Sequence, residues 1–251
     1  MNCKNIILSI GVACICFHSA FAQTTVKISG SVPFKDQYFD EGLDAIKAKT
    51  KLNIEVVANG SDRGVADVID GRSDAAMLSS HIADIAKTMN EKKPGSVDVS
   101  KFKESKIGDC EIVLTVHPSN SVKTLTSAQA VGLLSGTIQN WKEVGGSDLP
   151  VVIVVAMPGN GIRTTTEKVL MKKTPISSTA RQVTNPAQVA DVVAQMPGAI
   201  GPLGLSMLEN KKVSALHLSD TKIIAPMLIA TLGEPSTDVS AIIEALKSVK
   251  K

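Results

Sequence analysis

The stretch most suited to chemistry is PGNGIRTTTEKVL, residues 158–170. A Pro-Gly pair and a second glycine flank Asn160, and Arg163, three threonines and a helix-like pattern follow. The β-branched run VVIVVA (151–156) precedes it. A glycine turn between a strand and a helix presents unpaired backbone N–H groups at the positive end of the helix dipole, which is an anion cradle. Ile162, Thr166, Val169 and Leu170 share one helical face, so Ile162 is expected to face the core. Catalytic constellations are weak by contrast. His81, His117 and His217 show no metal-ligand spacing among themselves or with Cys110. They are expected to be structural or surface residues, with His81, beside Ser79-Ser80, the one closest to a possible site. No Ser-His-Asp order, carboxylate pair or Walker loop stands out, so the expectation is a binding protein and not an enzyme. No metal or cofactor is expected.

The elements that must carry this turn alternate along the chain. VKIS (26–29), NIEVVA (53–58), DAAML (74–78) and EIVLTV (111–116) read as strands, and VVIVVA is continuous enough to be buried on both faces. Helical patterns cover 37–49, a short stretch within 60–71, SAQAVGLLS (127–135) and PAQVADVVAQM (186–196), the last with Asn185 as a natural N-cap. A final helix carries Val239, Ile242, Ile243 and Leu246 on one face. Alternation of this kind predicts an α/β fold with parallel sheets. Two clusters of units, about 24–115 and 119–203, suggest two sheets and two lobes. No repeat or low-complexity segment is present.

Residues 1–22 have the form of a secretory signal: Lys4, the apolar IILSIGVACICF, then Ala20-Phe21-Ala22 as a small-x-small cleavage site. The expected product begins at Gln23 and is released into a periplasm without a membrane anchor. Cys3, Cys14 and Cys16 lie in the leader, which leaves Cys110 alone and excludes an internal disulfide. Cys110 opens the run CEIVLTV and reads as a buried small hydrophobe. The chain of 251 residues has a formal charge of +3, which drops by one with Lys4. That balance argues against nucleic acid, whose binding needs a clustered basic face. The one basic cluster, Lys101 to Lys106, is interrupted by Glu104 and reads as solvated surface.

Read together, GSDRGVADVIDGRSDAAMLSS (60–80), LLSGTIQNWKEVGG (133–146), the turn at 158–163 and PGAIG (197–201) resemble the phosphate-binding, periplasmic substrate-binding proteins of ABC transporters. The resemblance runs from about residue 26 onward. It implies an α/β periplasmic binding protein fold of type II, with two lobes and a ligand cleft between them. Residues 23–116 plus 204–251 would form lobe 1 and 117–203 lobe 2. It also implies a monomer that binds a small anion, phosphate first, and hands it to the membrane subunits of an ABC importer. The residues it places at the cleft are Ser31, Ser61, Asp62, Ser79, Ser80, Asn160, Gly161 and Arg163. Trp141, in the most specific block, is expected to pack rather than bind.

The chain departs from the family pattern at four positions in or beside these turns. Asn160 stands where the family has serine, and Ile162 where it has threonine. Ala156 replaces an arginine, and Ser80 an aspartate that takes a proton from phosphate. A hydrogen bond to a charged group contributes about 1.5–3 kcal/mol. Losing an arginine and a hydroxyl therefore predicts a weaker or different ligand, unless Arg163 turns inward. The alternative expectation is an interaction or sensing module of the same fold that no longer binds phosphate.

Overall fold

The computed structural model describes residues 25–209 and 211–248. The expected leader lies outside them. The elements in chain order are β1 (Thr25–Gly30), α1 (Val32–Phe34), α2 (Leu43–Thr50), β2 (Asn53–Ala58), α3 (Ser61–Ile69), β3 (Ala75–Leu78) and α4 (Ile82–Lys92). Next come β4 (Phe102–Val116), β5 (Thr124–Leu125), α5 (Ser127–Ser135), β6 (Val152–Ala156), α6 (Gly161–Thr166), β7 (Arg181–Val183) and α7 (Ala187–Val193). The last are β8 (Ala199–Gly204), β9 (Ser214–Leu218), β10 (Ile223–Leu232) and α8 (Thr237–Ser248).

The two sheets expected from the sequence are one hydrogen-bonded ladder. Its order is β2-β1-β3-β10-β4-β8-β6-β7, and β9 joins β4 to β5. Pairing is parallel at both ends, β1 with β2 and β3, and β6 with β7 and β8. It is antiparallel in the middle, where β10 pairs β3 and β4, and β4 pairs β8 and β9. The correction from parallel to mixed comes from β10, whose run IIAPMLIATL carries Pro226 in an interior strand. Proline cannot donate to a ladder, so it is tolerated beside an irregularity, and the β4–β10 register shifts between Met227 and Leu228. The strand expected at 111–116 also begins nine residues earlier, at Phe102. Its N-terminal half holds the lysines read as solvated, and Lys103 and Lys106 pair there with Glu234 and Asp109 on the exposed surface.

Two apolar layers clamp the ladder. The larger one runs through both halves, from Ile28, Phe34 and Met77 to Leu114, Val154 and Ile200, and includes Val239, Ile242 and Leu246 of α8. That terminal helix packs on α2 and β4. The smaller layer, with Val65, Val68, Leu78, Ile85 and Phe102, sits under α3 and α4. The helix expected over 37–49 is interrupted. Lys35–Phe39 form a π-helical turn that buries Tyr38 and Phe39. Their rings meet Phe34 at centroid distances of 5.0 and 6.0 Å, and α2 restarts after Gly42. Aromatic burial outweighs helical continuity there.

Cys110 is buried as expected, 4% exposed, and burial pushes its thiol pKa up. Trp141 is 1% exposed. Its indole N–H donates to the Gly198 carbonyl at 2.9 Å, which ties the block at 133–146 to the PGAIG turn. Both lie behind β6, so this contact supports the strand that leads to the 158–163 turn. Trp141→Phe keeps most of the packing but removes one of the two donors on the Gly198 carbonyl, which keeps the Val152 amide at 2.9 Å. The expected cost is about 0.5–1.5 kcal/mol, read as a lower urea midpoint with an unchanged slope.

Candidate functional site

The turns after β1, β2, β3 and β6 converge where the two halves of the ladder face each other. At the centre, α6 meets the end of β3. A Cβ built on Gly161 would lie 2.1 Å from Ser79 Oγ and 3.0 Å from Ser61 Oγ, so only glycine permits this approach. Ser61 Oγ accepts from the Ser79 amide at 3.3 Å and stands 3.5 Å from Ser79 Oγ. Thr165 of α6 donates its hydroxyl to the Ser79 carbonyl at 3.1 Å. Ser61, Ser79, Thr165 and Gly161 are all buried. Ser31 is buried beside them, with its amide on the Met77 carbonyl at 2.8 Å and its hydroxyl capping α1 at Phe34. Ser80 Oγ is buried without a hydrogen-bond partner.

Further contacts cross the same boundary. Lys168 Nζ pairs with Asp84 at 2.8 Å, and Lys92 Nζ reaches the Pro158 carbonyl at 3.3 Å. Gly159, at φ +96°, turns the chain so that the Asp62 carboxylate approaches its backbone. Beside the serine cluster a cavity of about 390 Å³ opens between the halves. Asn59, Asp62, Arg63 and Lys92 line one wall, and Asn160, Thr184 and Asn185 line the other.

Two of the first amides of α6 are already capped. Asn160 Oδ1 accepts from the Ile162 amide at 3.0 Å and the Arg163 amide at 3.4 Å. Ile162 is 2% exposed and belongs to the main apolar layer, as its spacing predicts. Arg163 does not turn inward. Its Nε donates to Glu167 at 2.8 Å and its Nη1 to the Ala156 carbonyl at 2.9 Å. The guanidinium thus serves its own helix, because Glu167 one turn on supplies a closer carboxylate partner. Arg163 is corrected from ligand candidate to helix anchor.

The eight residues read from the sequence therefore sort by place. Ser61, Ser79 and Gly161 touch one another, Asp62 and Asn160 line the cavity, Ser31 and Ser80 are buried, and Arg163 is tied to Glu167 and the Ala156 carbonyl. Arg63, Lys92, Asn59, Thr184 and Asn185 were missed as site residues. Asn59 and Arg63 flank the quoted Gly-Ser-Asp turn and were within reach. Lys92 ends α4, and nothing local marks it. His81 is held by Glu104 through Nδ1 at 2.9 Å and takes no part in the cavity lining. Among the described residues no cluster of His, Cys, Asp or Glu is arranged to hold a metal.

Residues 17–248 match the model of the PBP superfamily domain. The chain belongs to that family. It is 26% identical over 203 residues to the phosphate-binding protein PstS of Bacillus subtilis (strain 168), covering 80% of this chain and 64% of that protein. The chain thus spans just under two thirds of the length of that curated relative. Its structure is similar to one from Clostridium perfringens named "Putative Phosphate ABC Transporter Substrate-Binding Protein with Bound Phosphate" (TM-score 0.75, 25% identity, 89% of this chain and 93% of that one). An ABC-type phosphate transport receptor from Vibrio cholerae shares the fold (TM-score 0.63, 21% identity, 89% and 94%). The α/β binding-protein fold read from the sequence is therefore the fold of this chain.

Two outcomes follow from the geometry. Gly161→Ala cannot keep the contact with Ser79, so the halves should separate, seen as a larger radius of gyration in solution scattering and a loss of about 1–3 kcal/mol. Adding Ser79→Ala should recover part of both. The second concerns Asp67, which holds Asn59 Nδ2 at 2.8 Å behind the cavity. Burial opposes its charge, yet hydrogen bonds from Asn59 and Arg72 leave its pKa below the ordinary aspartate value. Its stabilisation is complete above the unfolded pKa of about 3.9 and disappears as pH falls through the lower folded value. Asp67→Asn should therefore lose less stability than the native chain between neutral pH and about pH 3, measured by thermal melts.

Proposed function

We propose that this protein is an exported solute-binding protein that captures a small anion, phosphate or a related oxyanion, in the interlobe cleft and delivers it to an ABC importer. The observation that carries this reading is the convergence of the turns at Ser31, Ser61, Ser79–Ser80 and Asn160–Gly161 at one boundary of a binding-protein fold. The structurally similar protein named with bound phosphate adds support. In this reading residues 23–116 plus 204–251 form one lobe and 117–203 the other, with β4 paired to strands of both. The protein works as a monomer in the periplasm, and its partners are the membrane subunits of the importer. Closure would be ligand-stabilised and would present the paired lobe faces to the transporter.

A second reading has its own observation. Ala156 and Ile162 are buried and apolar, and Gly161 packs directly on Ser79. A clamp that closes on itself suits an interaction module that needs no small ligand.

A thermal-shift screen separates the two. With ligand at about 100 times its dissociation constant, binding adds roughly 2.7 kcal/mol to stability. A clear rise in melting temperature with phosphate, sulfate or another anion supports capture. A flat response across oxyanions and small organic anions, from a protein that melts cooperatively, favours the interaction module.

A further inference from the structure

The cavity beside the serine cluster has a chemistry of its own. Its volume, about 390 Å³, falls within the roughly 300–1,000 Å³ of sites for small organic ligands. At about 30 Å³ per water, it has room for much more than one tetrahedral oxyanion. Both halves of the molecule line it.

Its donors can be assigned. Arg63 lines it with no hydrogen-bond or ion-pair partner among the described residues. Lys92 adds a second cation, held only by the Pro158 carbonyl. Asn160 and Asn185 face them from the other half. Both use Oδ1 to accept backbone amides, from Ile162 and Arg163 and from Gln188 respectively. Their Nδ2 groups remain as donors. Two cations and two amide donors match a dianion such as a monosubstituted phosphoryl group.

Its acceptors share a wall with the two cations. Asn59 gives Nδ2 to Asp67, which leaves its buried Oδ1 without a partner. Asp62 adds a carboxylate beside it. Hydrogen phosphate has a single O–H to give these two acceptors, so it leaves one of them unsatisfied. A hydroxyl or ammonium carried by the ligand beside its anionic group would satisfy both. The carbon between the two ends would meet Val32, Met157, Pro158 and Pro186.

We propose that the cleft is built for a small organic phosphate or phosphonate that carries a hydroxyl or ammonium group, and that Arg63 and Lys92 bind its anionic end while Asp62 and Asn59 bind its polar tail. This names the ligand class of the cleft and rests on the reading that the cleft captures an anion.

Calorimetric titration of the purified protein with inorganic phosphate, ethylphosphonate, 2-aminoethylphosphonate and glycerol 3-phosphate tests it. At least one of the last two should bind tenfold or more tighter than inorganic phosphate. Arg63→Ala and Lys92→Ala, both at exposed positions, should each weaken that binding by tenfold or more without changing the melting temperature of the free protein. Asp62→Asn should narrow the gap between 2-aminoethylphosphonate and ethylphosphonate. Inorganic phosphate binding as tightly as the substituted compounds overturns this inference and leaves anion capture standing. Tight binding that ignores both cation variants overturns it as well, since the site would lie elsewhere. Binding of none of the four by a folded protein removes this inference and speaks against anion capture itself.

Discussion

The arrangement of the whole molecule depends on one pair of strands. β4 runs for 15 residues and pairs along its first part with β10 and along its last part with β8 and β9. No other strand is bonded to elements of both halves so extensively. The parallel units at each end are ordinary strand-helix modules. Each could fold in any relative orientation if this pair did not fix it. The distance from Ser79 to Gly161, and so the existence of a cleft, is set by a ladder to which neither residue belongs.

Within that frame, polar groups at the boundary are paired locally before they are offered to anything else. Ser61 serves the Ser79 amide, Thr165 serves the Ser79 carbonyl, and Arg163 serves Glu167 and Ala156. This follows from burial: a polar group removed from water without a partner costs about 1–3 kcal/mol. Ser80 Oγ and Asn59 Oδ1 are the exceptions near the cleft. Arg63 and Asp62 are the charged ones.

Much of this was legible in the residues. Periodicity located β2, β6 and α5 within a residue or two and found the buried face of α8, because their apolar spacing is clean. The buried role of Ile162 followed from its place one turn before Thr166, and the packing role of Trp141 from its setting. The antiparallel centre was not legible, since β10 reads as an apolar run broken by Pro226 and only its neighbours explain the tolerance. Nor was the direction of Arg163, because Glu167 and the Ala156 carbonyl compete for it and local sequence does not rank them. Lys92 was invisible for another reason. It joins the cavity only when α4 and the 158–163 turn are brought together by strands far from either.

The cap at Asn160 has a thermodynamic consequence. An amide that already has an acceptor is not an empty receptor for an anion. A ligand oxygen seeking the Ile162 or Arg163 N–H must first displace Asn160 Oδ1, and its measured affinity is the intrinsic affinity scaled by the fraction of molecules in which that side chain has swung away. The side chain thus acts as an internal competitor, present at an effective concentration set by its tether and independent of dilution. It sets a threshold of binding strength below which an anion does not enter that position, whatever its abundance outside.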